Sequence, residues 1–219
     1  MCGIIGCSVS KNTSIQNQVF NESFEQLIHR GPDFQQIEDC NNKFSNIKIG
    51  FCRLSIQDLS DNANRIFIDN DNALLFNGEI YNYRELKIKY FNKEKFETNS
   101  DTELLFKFIK KFKFNKINEL NGIFALAWVD NRENKITLAR DYTGVKTLYY
   151  VHQNKNFYFC SEAWYLYKIT HNKKINFDAL NFYLRFGFND IEKCIQKDIL
   201  ILKLVKICGS YKRIKEVKV

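Results

Sequence analysis

Ile123–Phe124–Ala125–Leu126–Ala127–Trp128–Val129–Asp130, then Asn131–Arg132–Glu133–Asn134, then Lys135–Ile136–Thr137–Leu138–Ala139–Arg140–Asp141, is two apolar runs around a polar four-residue turn. Apolar runs of this length, bounded by turn residues, predict an antiparallel hairpin. A second hairpin follows over 147–151 and 156–160. Upstream, Cys2–Val9 is apolar and carries β-branched residues, so it reads as a strand. Further short strands are expected around 34–39, 46–52, 65–69 and 73–76, with Asn77–Gly78–Glu79 ending the last. Many short strands with helices between and after them predict an α+β fold built on two packed antiparallel sheets.

The helices come from a different period. Ile15–Ile28 has apolar residues at 15, 19, 20, 24, 27 and 28, a helical spacing. His29–Arg30–Gly31–Pro32–Asp33 breaks it with turn chemistry. Asn82, three residues before Glu85, is placed to cap a helix over Tyr83–Tyr90. Ser100–Asp101–Thr102–Glu103 matches the capping-box pattern, and Leu104, Leu105, Phe108, Ile109 and Phe112 form the stripe behind it. That geometry puts Asp101 in the first turn of a helix. Short helices are expected at 162–168 and 178–186. The segment after Asp190 is basic, with apolar Ile199–Leu202 able to pack as a strand or a helix.

Composition narrows the function classes. With 219 residues, 45% of them hydrophobic, the chain can bury a core without covalent staples. Its apolar runs are too short to span a bilayer, and the N-terminus lacks the basic start of a signal peptide, so a cytoplasmic location is expected. The seven cysteines show no Cys-x-x-Cys pair and the three histidines lie far apart, which argues against a zinc site or a disulfide framework. The net charge of +8 comes mostly from scattered lysine, without an RNA- or DNA-binding signature, so nucleic acid is not an expected partner.

The chemistry begins at Met1–Cys2–Gly3–Ile4–Ile5–Gly6. Removal of Met1 leaves Cys2 with a thiol and a free α-amino group, whose ordinary pKa values of about 8.5 and 7.7–8.0 both lie near working pH. The amine can then serve as general base for its own nucleophile, and no histidine partner is required. Standing alone, Cys2 could equally be a small residue opening a buried strand. Four further blocks follow in order: His29–Asp33; Arg53–Leu54–Ser55–Ile56; Phe76–Asn77–Gly78–Glu79–Ile80–Tyr81–Asn82–Tyr83; and Ser100–Glu103.

Together with the N-terminal Cys-Gly, these blocks resemble the class II (N-terminal-nucleophile) glutamine amidotransferases, and most nearly the glutaminase domain of glutamine-hydrolysing asparagine synthetase. Leu120–Ala125, Ala139–Lys146 and Phe159–Ala163 share the likeness. It covers roughly residues 1–188. The resemblance implies a four-layer αββα sandwich over residues 2–188, with 189–219 as a basic extension left from the connection to a synthetase domain. It implies hydrolysis of L-glutamine through a Cys2 thioester, with the side-chain amide of Asn77 and the backbone N–H of Gly78 as oxyanion hole. Loss of one such donor typically removes about 2.7–4 kcal/mol of transition-state stabilisation. Arg53 would hold the substrate carboxylate in a two-pronged ion pair. Glu79 and Asp101 would accept from its α-ammonium, and Leu54, Ser55, Ile56 and Gln57 would line the pocket. Arg30 and Asp33 are expected to form a loop ion pair beside Cys2.

No metal or organic cofactor is implied. The sequence departs from the family at Phe51–Cys52, Arg65–Ile66, Tyr142 and Thr147, none of which is a nucleophile, oxyanion or glutamine-clamp position. It contains no Ser-Gly-Gly-x-Asp-Ser pyrophosphate loop, so the ammonia is expected to go to a synthetase partner in trans or to a missing domain. A second enzymatic reading, an N-terminal-nucleophile amidohydrolase acting on another amide, is disfavoured by Arg53 and Asp101, which together read a free amino acid. The non-enzyme reading is a degenerate glutaminase module kept for binding or regulation.

Overall fold

In the computed structural model, residues 1–170, 174–189, 193–202 and 215–218 are described. Eleven strands and five α-helices are seen among them. The first sheet is ordered β10(Leu200–Ile201), β8(Tyr149–Gln153), β9(Asn156–Cys160), β1(Gly3–Ser10), β3(Ser45–Arg53), β2(Phe34–Asp39). The second is ordered β11(Lys215–Lys218), β7(Lys135–Arg140), β6(Gly122–Asp130), β5(Asn72–Ile80), β4(Phe67–Ile68). Every pairing is antiparallel. The hairpin read from 123–141 is β6–β7, registered from Ala125 opposite Arg140 to Asp130 opposite Lys135.

Alternation along the strands creates three cores. Ile4, Ile47, Ile49, Leu75, Ala127, Val129, Ile136 and Leu138 fill the space between the sheets. On the outer face of the first sheet, Ile5 and Cys7 meet Phe20, Phe24 and Leu27 of α1(Asn17–Leu27) and Tyr165 and Leu166 of α4(Ala163–Thr170). On the outer face of the second, Leu74, Phe76 and Trp128 meet α2(Tyr83–Phe91) and α3(Asp101–Phe112). Each sheet thus buries both faces, which produces helix, sheet, sheet, helix in four layers. A strand buried on both sides cannot show strict polar alternation, which is why Gly122–Asp130 reads as one continuous apolar run. The fifth helix, α5(Phe177–Phe186), is capped at Asn176 and stopped by Gly187 at φ 76°. No helix among the described residues is long and apolar enough to cross a membrane.

Three local expectations are corrected. Asn77–Gly78–Glu79 does not end a strand: β5 runs on through Ile80, paired with β6 out to Gly122. Tertiary pairing extends it past the point where local turn propensity would stop it. Asn82 makes no side-chain cap on α2. Its amide instead bridges to the Asn121 N–H (2.9 Å) and the Glu119 carbonyl (2.9 Å), holding the turn before β6. The capping box at Ser100 is half made. Ser100 Oγ accepts from the Thr102 N–H at 3.0 Å, but Glu103 turns to the N–H groups of Glu97 and Thr98 and to the Thr98 hydroxyl. The segment after Asp190, left unplaced by sequence, contributes β10 to one sheet and β11 to the other.

Candidate active site

Cys2 and Asn77 meet because both face the layer between the sheets. Cys2 packs on the cluster that contains Ile4, and Asn77 continues the β5 face of Ala73 and Leu75. There the sandwich opens into a cleft continuous with solvent. Cys2, Asn77 and Gly78 line it. So do Arg53, Leu54, Ile56 and Gln57 from the end of β3 and the loop beyond, together with Glu79 and Asp101. Ser55 does not reach the wall; its N–H donates to Asp33 at 2.7 Å and its hydroxyl accepts from Arg53 at 2.9 Å.

Asn77 is 1% exposed, and neither its side-chain oxygen nor its nitrogen makes a hydrogen bond within the protein. An unpaired buried amide is costly, of order 1–3 kcal/mol, so one facing a cleft marks a position kept for something that enters it. Gly78 supplies a second donor by register. It sits opposite Phe124, whose N–H donates to the Asp141 carboxylate (2.8 Å) and whose carbonyl accepts from the Asp141 N–H (2.9 Å). Phe124 therefore has nothing to exchange with Gly78, and the alternation of antiparallel pairs aims the Gly78 N–H at the other edge of β5. β4 covers that edge only at Ala73 and Leu74, leaving the Gly78 position bare. The residue must be glycine, since a Cβ would lie 2.3 Å from the Ile123 carbonyl oxygen.

Two residues on, the Ile80 N–H on the same edge donates to Asp101 Oδ2 at 2.8 Å. Asp101 is buried at the start of α3, and burial pushes its carboxyl up from 3.8 to about 6, with the Glu79 charge adding to the rise. No cation pairs with it among the described residues.

Arg53 is 8% exposed and holds the loop that follows it. Its Nη1 donates to Ser55 Oγ and Asn64 Oδ1, and its Nη2 to the carbonyls of Gln57 (2.7 Å) and Asp58 (2.8 Å). Four of its five donors are thus engaged by the loop, and Nε–H remains. Arg30 does not pair with Asp33 as expected. It reaches Glu162 at 2.9 Å and donates from Nε to the Cys2 carbonyl at 3.3 Å, while Asp33 anchors Ser55. The ion pair beside Cys2 therefore bridges to the turn before α4, a partner 132 residues away that local sequence cannot reveal.

Burial raises the Cys2 thiol above its ordinary range, opposed first by a hydrogen bond with the Leu54 backbone and then by the positive charges of the N-terminus, Arg53 and Lys146. Met1 is in place in the structure and lines the cleft beside it. Lys146, Phe51, Phe76, Ser100 and Thr102 also form the wall and carried no assigned role in the sequence reading. For Lys146 a signal existed: Asp141, followed by Thr143 and Gly144, is the composition of a side-chain-anchored turn.

Comparison with known proteins decides the family. A family profile described as a glutamine amidotransferase domain matches residues 1–217. The chain belongs to this family. The amidotransferase domain is 36% identical over 207 residues to a Methanocaldococcus jannaschii protein named as a glutamine-hydrolysing asparagine synthetase, covering 86% of this chain and 40% of that one. It is 32% identical over 193 residues to a glutamine-hydrolysing asparagine synthetase of Bacillus subtilis, covering 86% and 30%. The chain thus spans well under half the length of these relatives. In fold it is similar to the glutamine phosphoribosylpyrophosphate amidotransferase of Bacillus subtilis, with a TM-score of 0.61 at 18% identity, over 99% of this chain and 49% of that one. The likeness shows the αββα sandwich fold.

Proposed function

We propose that this amidotransferase domain hydrolyses the side-chain amide of L-glutamine to L-glutamate and ammonia, with Cys2 as nucleophile. The observation that carries the reading is Asn77, a buried amide without a partner in the same cleft as Cys2. Its Nδ2–H and the Gly78 N–H are the donors for the oxyanion formed when sulfur attacks the amide carbon. The C–N bond then breaks, ammonia leaves with a proton, and water cleaves the thioester to glutamate. After Met1 is removed, the α-amino group of Cys2 takes the thiol proton and returns it to the leaving nitrogen.

Glutamine's two charged groups match what the cleft offers. The α-ammonium pairs with Asp101 and Glu79, relieving the buried carboxylate. The α-carboxylate meets Arg53 through Nε–H and by displacing loop oxygens from one edge of the fork, so binding and rearrangement of residues 54–58 go together. The ammonia passes to a synthetase domain. In support, the named relatives are more than twice as long, and α5 with its flank exposes Phe177, Leu184, Phe186 and Phe188. Apolar groups clustered this way are typical of docking surfaces.

The deciding experiment measures glutamate and ammonia released from L-glutamine by protein whose mass confirms loss of Met1, beside Cys2→Ala. Release that disappears in the variant is the expected result. A folded, processed wild-type protein that releases neither product would refute independent hydrolysis.

A further inference from the structure

Lys146 sits in the cleft on a mount stiffer than a surface loop needs. Asp141 is 2% exposed, and its carboxylate accepts from the N–H groups of Thr143 (2.8 Å) and Gly144 (2.7 Å) as well as from Phe124. Arg140, also buried, donates to the carbonyls of Gly144 and Lys146 itself and, from Nη1, to Leu202 at 3.0 Å. Thr147 Oγ1 then ties the chain to the Ser161 carbonyl at 2.9 Å, and Ser161 Oγ in turn accepts from the Ile4 N–H at 3.0 Å, two residues beyond Cys2. The turn carrying Lys146 is thereby hydrogen-bonded to the strand that carries the nucleophile.

The charges facing Cys2 can be sorted by what each does once glutamine is present. Arg30 is paired to Glu162, which also takes His29 at 3.0 Å. Arg53 is destined for the substrate carboxylate, and Asp101 and Glu79 for its ammonium. The N-terminal amine becomes an ammonium on taking the thiol proton, but it gives that proton to the leaving nitrogen and so carries charge for only part of the cycle. Cys52, packed behind Gly3, is a thiol pushed up to about 11 by burial and brings no charge. Lys146 makes no ion pair among the described residues. In the loaded site it is a cation that, among the described residues, neither pairs with an acid nor has to give up its proton during the reaction.

We propose that Lys146 is a positioning residue of the reaction, a fixed ammonium that keeps the Cys2 sulfur in its anionic, attacking form while Arg53 holds the substrate carboxylate and the amine carries the proton in transit. This rests on Cys2 being the nucleophile; the Lys146 charge opposes the desolvation that raises the half-buried thiol. Opposite charge at close range is the physical lever.

The test reads the thiolate directly and needs no turnover. The rate of Cys2 alkylation by iodoacetamide is followed against pH in the full, processed chain, using mass spectrometry of the N-terminal peptide. Wild type is compared with Lys146→Met and Lys146→Arg. The methionine variant should shift the alkylation midpoint up by about half a unit or more. Near pH 7 that is a roughly threefold slower reaction, and the arginine variant should restore it. Glutamine kcat should fall in parallel in Lys146→Met. An unchanged midpoint in a Lys146→Met protein that melts like wild type would overturn the assignment, as would arginine failing to rescue. If wild type turned over no glutamine yet the midpoint still moved, the glutaminase reading alone would fail.

Discussion

Replacing Asp101 by Asn should make the ligand-free protein more stable while weakening glutamine binding. The carboxylate is 5% exposed and raised from 3.8 to about 6, chiefly by burial and then by Glu79. Each unit is worth about 1.36 kcal/mol, so the ionised form burdens the native state by up to roughly 3 kcal/mol at pH 8. The sign follows from the direction of the shift. Below about pH 4 Asp101 is protonated in both folded and unfolded chains, so it adds no difference between wild type and variant. As pH rises from about 4 through 6 the unfolded chain ionises first, and wild type loses stability relative to Asn. Asparagine keeps an oxygen for the Ile80 N–H, so the hydrogen bond survives. At about 2–4 °C per kcal/mol for a chain of this size, the variant should melt several degrees higher at pH 8 and level with wild type at pH 4. Thermal melts of both proteins at the two pH values measure this directly. A variant that melts lower than wild type at pH 8, or a difference independent of pH, would refute the reasoning.

The same carboxylate sets a pH dependence for substrate. Because an ammonium prefers ionised Asp101, the KM for glutamine should rise as pH falls through about 6, and Asp101→Asn should flatten that limb while raising KM at pH 8; initial-rate kinetics check both. Asn77→Ala should lower kcat by about 10²–10³-fold without loss of stability, since the amide has no protein partner to strand; activity assays and urea titration together test it. Gly78→Ala should destabilise by at least about 1–3 kcal/mol, because its Cβ would press on the Ile123 carbonyl oxygen 2.3 Å away, and a lowered denaturation midpoint is the readout. Glu103→Ala should be costly too, by roughly 2–4 kcal/mol, as it frees two backbone N–H groups and the buried Thr98 hydroxyl; denaturant unfolding would show it.

Sequence alone determined the things that depend on neighbours along the chain. The hairpin at 123–141, the helix after Ser100 and the strand read over Cys2–Val9 follow from apolar period and turn chemistry, and they stand within a residue or so of that reading, the strand as Gly3–Ser10. Ordered motifs also picked out the residues that line the cleft, from Cys2 through Arg53 and Asn77 to Asp101. Tertiary structure decided what depends on partners far apart in the chain. It extended β5 through Asn77 and Gly78 by pairing with β6, and so turned a turn-like dipeptide into an edge with a free N–H. It gave Arg30 to Glu162 rather than Asp33, wrapped the Arg53 fork in its own loop, and brought Lys146 to Cys2 across 144 positions. Local propensity is worth tenths of a kcal/mol per residue, whereas a buried charge or unpaired amide is worth several times that. Long-range burial therefore sets the electrostatics of the site, and no reading of adjacent residues can supply it.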